Sequence, residues 1–202
     1  MHISEGVLSG PVLLSGGVLA SIGTAIGLKK MDYDHVAQVG MMASSFFVAS
    51  LIHVNIGPSS VHLILNGIVG LLLGWAAFPA ILVALTLQTV FFQFGGITVL
   101  GVNTVIMALP AVICYLAFSP FIKKSGFMAT AAAFGSGFLA VFLAAVLLGI
   151  ALIYSEKGFF VVASVAVIQN LPIMIVEGIV TAFCVGFLKK VYPQILPGQG
   201  RG

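Results

Sequence analysis

The sequence contains very little charge. Only 6% of its 202 residues are charged and 60% are hydrophobic, whereas soluble domains carry roughly 25% charged residues. Nothing of useful size is left for a soluble domain. The few Lys and Arg residues are too scattered for a nucleic-acid surface. We therefore expect an integral membrane protein whose surroundings are the lipid bilayer, with no nucleic acid as a partner.

Cysteines and catalytic signatures are also scarce. Cys114 and Cys184 lie singly in apolar segments without CxxC spacing, so we expect neither a disulfide nor a thiolate metal site. The sequence has no GxxxxGK[ST] motif and therefore cannot hydrolyse ATP by itself. It also has no HExxH, which a helix-borne zinc protease would need.

The first residues lack the features of a signal peptide. They have no basic region and no A-x-A cleavage site, and Glu5 lies where a signal peptide carries positive charge. His2 is too large for removal of the initiator methionine. We expect Met1 to remain in the mature protein.

Long apolar stretches dominate what the sequence does contain. A membrane span needs about 20 mostly apolar residues, and such stretches recur between short polar segments. We predict an all-α integral membrane protein with a single domain over residues 1–202, built as a bundle of about seven transmembrane helices. The predicted spans lie near residues 7–28, 36–52, 61–78, 80–94, 102–118, 127–153 and 159–188.

Three lysine pairs predict the orientation of these spans. Lys29-Lys30, Lys123-Lys124 and Lys189-Lys190 follow the first, fifth and seventh spans. Short cytoplasmic loops are enriched in Lys and Arg, so the amino terminus is expected outside. The carboxyl terminus, with a tail over residues 189–202, is expected in the cytoplasm.

Two predicted spans are irregular. The fourth is short and preceded by Pro79, and the last is interrupted at Asn170-Leu-Pro172. Residues 159–169 are therefore expected to form a separate re-entrant or tilted helix. Irregular backbone at membrane depth requires cover by protein or a water-filled cavity.

Small residues recur at four-residue spacing in the first span. Gly17, Ser21 and Ala25 share one face, with a second row of Gly16, Ala20 and Thr24 beside it. Such a row lets another helix approach closely. Two interpretations stay open, namely packing inside the bundle and docking onto a partner membrane protein.

The first two residues can form a metal chelate. A free terminus followed by X-His offers three nitrogens, which are the Met1 amine and the amide and imidazole of His2. The amide must lose its proton, which Cu(II) and Ni(II) can drive near neutral pH, and both accept tetragonal nitrogen sites. The segment 1–6 is thus a candidate metal-binding segment that needs one more ligand.

The stretch HVNIGPSSVH supplies candidates for the fourth ligand. We prefer His62 to His53, because it is expected at the rigid start of the third span, behind a turn at residues 57–60. His53 is an auxiliary candidate. Asn66, one helical turn after His62, is expected to support the ligand from behind. His35 is expected on the opposite, cytoplasmic face.

Two further features border this candidate site. The loop FGGITVLGVN ends in Asn103, which either caps the fifth helix or lies in a lid over the metal. Glu177 lies within the last span, where an ionisable residue is a functional candidate by default. The sequence suggests no partner for Glu177.

Together, the stretches MHISEG, LIHVNIGPSSVHLILNG, GGITVLGVNTVIMALPA and LPIMIVEGIVTA resemble the substrate-specific membrane component of energy-coupling-factor cobalt/nickel transporters, the CbiM/NikM family. The resemblance covers nearly the whole chain. It implies a seven-helix component whose outside amino terminus is tucked into the bundle. It also implies a metal site made by the Met1 amine, the two His2 nitrogens and His62.

The resemblance further implies a transport subunit that uses no catalytic cofactor. Its substrate would be a Ni(II) or Co(II) ion. Its partners would be a transmembrane coupling protein, a pair of cytoplasmic ATPases and a small accessory membrane subunit. The alternatives are an intramembrane enzyme with histidine-bound zinc and a channel or scaffold that needs no metal.

Overall fold

The computed structural model describes residues 3–56, 59–124 and 126–196, which fold as a helical bundle. Five apolar stretches are long enough to cross a membrane, namely Gly10–Lys30, Asn66–Phe92, Leu100–Ile122, Phe127–Ser155 and Leu171–Val191. The predicted helical membrane fold is confirmed at this level. The helices are α1 (Gly10–Lys30), α2 (Val36–Ala49), α3 (Asn66–Leu73), α4 (Ala77–Phe92), α5 (Leu100–Ile122), α6 (Phe127–Ser155), α7 (Phe160–Gln169) and α8 (Leu171–Val191).

A small β-hairpin interrupts the predicted all-α architecture. Strand β1 (His53–Ile56) pairs antiparallel with β2 (Ser59–His62), and His53 lies opposite His62 in the register. The segment is rich in β-branched residues, which favour strands over helices. The prediction that the third span begins as a helix at residue 61 is therefore wrong, because α3 begins only at Asn66.

The chain reverses direction between α3 and α4. Asn66 donates a hydrogen bond to the Met107 carbonyl, while Gly70 and Gly74 abut Ala111 and Tyr115 further along α5. Helix α3 therefore runs parallel to α5, whereas α4 leads back towards the start of α5. Gly74 makes the turn with a φ of 55°, a left-handed conformation that glycine adopts readily.

Inside the bundle, helices cross at Gly67 and Gly137 with no side chain between their backbones. A Cβ on Gly67 would lie 2.6 Å from the Cα of Gly137, and a Cβ on Gly137 would lie 2.4 Å from the Glu177 carbonyl. Helices α3, α6 and α8 are thus in backbone contact. Small residues at such positions are what close approach of membrane helices requires.

The last predicted span consists of two helices, as the Asn170-Leu-Pro172 sequence predicts. Helix α7 ends at Gln169 and α8 begins at Leu171. Pro172 lies in the first turn of α8, where its missing N–H leaves no helical hydrogen bond unmade. The expectation that residues 159–169 form a separate helix is confirmed.

All three lysine pairs gather at one end of the bundle. Lys30 lies 5.0 Å from the centre of the Trp75 ring and lines a cavity together with Lys123. Lys189 donates a hydrogen bond to the Lys124 carbonyl. This end, the lysine end, is opposite to the end that holds Ile3 and the β-hairpin.

Both cysteines are free.

Candidate metal site

The amino-terminal segment is anchored in the bundle by Asn103. Its side-chain oxygen accepts a hydrogen bond from the Ile3 amide at 3.0 Å, and its side-chain nitrogen donates to the Ile3 carbonyl at 3.1 Å. Ile3 is only 5% exposed and Asn103 only 2% exposed. The residue directly after His2 is therefore held by two hydrogen bonds within the protein.

Asn103 does not cap α5, since the helix begins at Leu100 and Asn103 lies in its first turn, facing Ile3. The interpretation as a helix cap is thus wrong. A cap would need its side chain turned back to the helix's own amides, whereas this amide is occupied by Ile3. Sequence reasoning selected the residue but not its partner.

The loop FGGITVLGVN binds the side chain of Glu5. The Glu5 carboxylate accepts hydrogen bonds from the backbone amide and the hydroxyl of Thr98 at 3.1 and 3.4 Å. A Cβ on Gly96 would lie 2.0 Å from the Glu5 Cγ, and one on Gly95 would lie 2.9 Å from the Asn103 amide nitrogen. Glycine at both positions lets the loop close over the amino-terminal segment.

His62 is buried at the end of β2. It is 8% exposed, and its Nδ1 lies 3.0 Å from the Leu63 carbonyl oxygen. A carbonyl oxygen can only accept, so this contact is a hydrogen bond only in a ring that carries a proton on Nδ1. Metal-binding histidines are commonly oriented by such a bond from the other ring nitrogen.

Asn66 lies at the first residue of α3 and joins three helices. Its amide nitrogen donates to the carbonyls of Met107 on α5 and Ala140 on α6, at 3.5 and 3.3 Å. Since residues 62–65 are not helical, the predicted placement of His62 and Asn66 on one helical face is wrong. Asn66 instead fixes the start of α3 against the rest of the bundle.

Glu177 meets the chain that links His62 to α3. It is fully buried, and its carboxylate accepts hydrogen bonds from the backbone amides of Ile64 and Leu65. The structure thus supplies the partner that the sequence does not suggest, across 113 residues from Ile64. Sequence reasoning missed this contact because backbone partners leave no residue signature.

One face of α5 connects the two halves of the candidate site. Asn103 binds the amino-terminal segment and Met107 binds Asn66. These positions are four residues apart, about one helical turn or 6 Å. Ile3 and Ile64 also belong to the same apolar core.

The ligand set of the predicted site extends beyond the described residues. Met1 and His2 lie outside them, and His53 is described only by its backbone pairing with His62. Within residues 3–56, 59–124 and 126–196, no three His, Cys, Asp or Glu side chains come together as a metal site. His35 lies elsewhere and pairs with Asp32 at 3.0 Å.

The small-residue row of α1 is divided between the bundle and its surface. Gly16 and Ala20 are buried, and a Cβ on Gly16 would overlap Val102. Ser21 and Ala25 are exposed, and a Cβ on Gly17 would meet nothing within 4 Å. Thus the second row packs internally, while the row of Gly17, Ser21 and Ala25 faces outward.

Apolar helices surround a buried imidazole, two buried amides and a buried carboxylate, which defines a multi-pass membrane protein with a polar site in its interior. A family model described as the cobalt uptake substrate-specific transmembrane region, CbiM, matches residues 2–195. The chain belongs to this family, as the sequence resemblance predicts.

Relatives agree with this assignment, and a solved structure shares the fold. The chain is 40% identical to a protein of Haemophilus influenzae described as a metal transport protein, over 97% of both chains. It is 30% identical to the cobalt transport protein CbiM of Sorangium cellulosum, over 97% of this chain and 94% of that protein. A crystal structure of a transition metal transporter superposes with a TM-score of 0.78 at 24% identity, over 95% and 93% of the two chains.

The family assignment decides the broad class of function. The relatives are named as cobalt and nickel transport proteins, so this chain is a transport component and not an enzyme. The alternatives of a zinc enzyme and of a scaffold without metal are set aside. Components of this family work together with other subunits.

Proposed function

We propose that this chain captures Ni(II) or Co(II) outside the cell and carries it across the cytoplasmic membrane of a prokaryote. In this proposal it is the substrate-binding component of an ATP-driven importer of the energy-coupling-factor type. The Met1 amine, the amide and imidazole nitrogens of His2, and His62 are the proposed ligands. Four nitrogens in one plane suit a metal that can displace an amide proton.

The hydrogen bonds between Asn103 and Ile3 carry the proposal. A terminal amine can serve as a ligand only if its position is fixed, and Ile3 is fixed two residues further along by both backbone groups. The same face of α5 receives Asn66 one turn away, and Asn66 begins the helix that follows His62. The buried Ile3 and the start of the helix that follows the buried His62 are therefore held by the same helix.

The contact between His62 Nδ1 and the Leu63 carbonyl supports the proposed role of His62. With Nδ1 donating to the Leu63 carbonyl, the lone pair on Nε2 is the one that a metal would use. His53 is proposed as an auxiliary residue of the hairpin, given its register opposite His62. Asn66 and Asn103 are proposed to hold the ligands in place without binding the metal.

The lysine end supports an orientation with the amino terminus outside. All three lysine pairs lie at that end, and positive charge favours the cytoplasmic side. Because the chain reverses at Gly74, α3 and α4 count as two crossings. With α1, α2, α5, α6 and α8 they give the seven crossings that this orientation needs.

Partner subunits must supply the energy, since the sequence has no ATP-binding GxxxxGK[ST] motif. The proposed partners are a transmembrane coupling protein, a pair of cytoplasmic ATPases and a small accessory membrane subunit. We assign the outward row of Gly17, Ser21 and Ala25 to contact with a partner helix, because small exposed residues let helices approach closely.

Leucine at Ser21 or Ala25 tests the partner contact. The longer side chain should separate the partner helix, so metal uptake by the assembled complex should fall while nickel binding to the isolated chain is unchanged. Thr86→Leu on α4, which also replaces a small exposed residue, is the matched control. Full uptake with both variants would show that the row faces only lipid.

The role of His62 is tested by isothermal titration of Ni(II) into detergent-purified His62→Ala and His35→Ala. Loss of residues that merely orient a ligand typically lowers metal affinity about 10–100-fold, so loss of a ligand should lower it at least as much. His35→Ala, on the opposite face, should bind like the unaltered chain. Equal affinity of both variants would reject His62 as a ligand.

A further inference from the structure

A buried carboxylate holds the backbone that follows His62. Glu177 accepts hydrogen bonds from the Ile64 amide and, through both carboxylate oxygens, from the Leu65 amide at 2.9 and 3.1 Å. These amides precede the first helical residue, Asn66. They lie inside the bundle, where an unpaired amide is costly because water is absent.

The conformation of this segment decides where His62 lies. Leu65 has a φ of 57°, which is uncommon for a residue other than glycine. If residues 62–65 continued α3 backwards, they would rise about 1.5 Å per residue instead of about 3.3 Å. His62 would then move by roughly 7 Å.

We propose that Glu177 is a positioning residue for metal capture, which acts through His62 without touching the metal. Its carboxylate satisfies the amides of Ile64 and Leu65 and thereby keeps residues 63–65 out of the helix. This conformation places the His62 imidazole at the site. The inference rests on the proposed function, since it takes His62 to be a ligand.

A carboxylate is suited to this task because it has two acceptor oxygens and no donor in its ionised form. Glutamine retains one acceptor oxygen, which can reach both amides, but adds a donor. Alanine removes every acceptor. The series from Glu to Gln to Ala therefore removes the support in steps.

The test is a double-mutant cycle with His62, measured by titration of Ni(II) into purified protein. Glu177→Ala should weaken binding by about 10–100-fold, as for a residue that orients a ligand, and Glu177→Gln should bind with intermediate affinity. In the His62→Ala background, Glu177→Ala should cause no further loss. Thr181→Val, one helical turn along α8 and also buried, is the matched control and should bind like the unaltered chain.

The visible spectrum of bound Ni(II) gives a second readout. Glu177→Ala and His62→Ala should show the same spectrum, that of a site without the imidazole of His62. A general loss of stability would not produce this identity. If Glu177→Ala does not fold, Glu177→Gln provides the affinity and the spectrum.

Two results would overturn the proposed role of Glu177 and leave the proposed metal site intact. One is tight binding by Glu177→Ala while His62→Ala binds weakly. The other is a full additional loss from Glu177→Ala in the His62→Ala background, which would mean that Glu177 acts independently of His62. If His62→Ala binds like the unaltered chain, the proposed metal site fails and the inference fails with it.

Discussion

Asn103 holds the amino-terminal segment as a neighbouring strand would. Its side-chain amide presents one donor and one acceptor to the two backbone groups of Ile3. Among side chains of this size, only an amide offers both functions in one plane. The fixed position of Ile3 therefore depends on the chemistry of this residue and not only on its bulk.

Asn103→Leu should weaken nickel binding. Leucine has a similar size but releases both backbone groups of Ile3, so the terminus loses its anchor. We expect an affinity about 10–100-fold lower and a free energy of unfolding lower by about 1–3 kcal/mol, measured by titration and by thermal unfolding.

Thr104→Val is the control for Asn103→Leu. Thr104 is also buried, but its hydroxyl bonds to Leu100 within its own helix. This variant should keep the affinity of the unaltered chain. Native affinity of Asn103→Leu would contradict the anchoring role.

At the residue scale, the sequence singles out candidate residues but does not show what they contact. Asn103, Asn66 and Glu177 were all candidates because polar groups in an apolar chain are conspicuous. Their partners are backbone groups of Ile3, Met107 and Leu65. No residue pattern marks such partners, since every residue carries the same backbone.

At the scale of elements, the crossing of α3, α6 and α8 supports both Glu177 and the start of α3. Gly67 and Gly137 let these helices touch. A side chain at Gly67 would push α6 away from α3, and one at Gly137 would push α8 away from α6 and draw Glu177 from its backbone partners. The position of His62 thus depends on a helix crossing formed by glycine residues, which carry no functional side chain.

Gly137→Ala should destabilise the protein. Its Cβ would lie 2.4 Å from the Glu177 carbonyl and 2.6 Å from the Thr181 hydroxyl, so α6 and α8 must separate. Overpacking of this kind typically costs about 1–3 kcal/mol. Thermal unfolding in detergent measures the change.

Gly186→Ala on α8 is the matched control for Gly137→Ala. Its Cβ would meet nothing within 4 Å, so the helix should gain about 0.5–1 kcal/mol from the loss of glycine. A stable Gly137→Ala variant would contradict the close crossing.

The elements differ in how far local sequence determines them. The break between α7 and α8 was predictable because Asn170 and Pro172 act locally. The unwound segment before α3 was not, since its apolar composition is typical of a continuous span. Its amides are satisfied by Glu177, which lies far away in sequence.

For the whole molecule, the lysine end and the end that holds Ile3 should lie on opposite sides of the membrane. Single cysteines at Ser4 and Lys124, in a chain lacking Cys114 and Cys184, test this arrangement. An impermeant thiol reagent should label position 4 from outside and position 124 only from the cytoplasmic side. Labelling of both from one side would contradict the seven-crossing arrangement.

In the proposed site, the amino terminus itself is a metal ligand. When residues are added before Met1, the Met1 amine becomes a peptide amide and is no longer a terminal amine. Binding should also strengthen from about pH 6 to 8, because the His2 amide must lose its proton. No other part of the fold needs to change.

The most direct test is titration of Ni(II) into a chain with two alanines added before Met1, compared with a chain that has two alanines added after Gly202. We expect the amino-terminal extension to abolish tight binding without lowering the thermal unfolding midpoint of the metal-free protein. The carboxyl-terminal extension should have no effect. Native affinity of the amino-terminally extended chain would contradict the ligand role of the amino terminus.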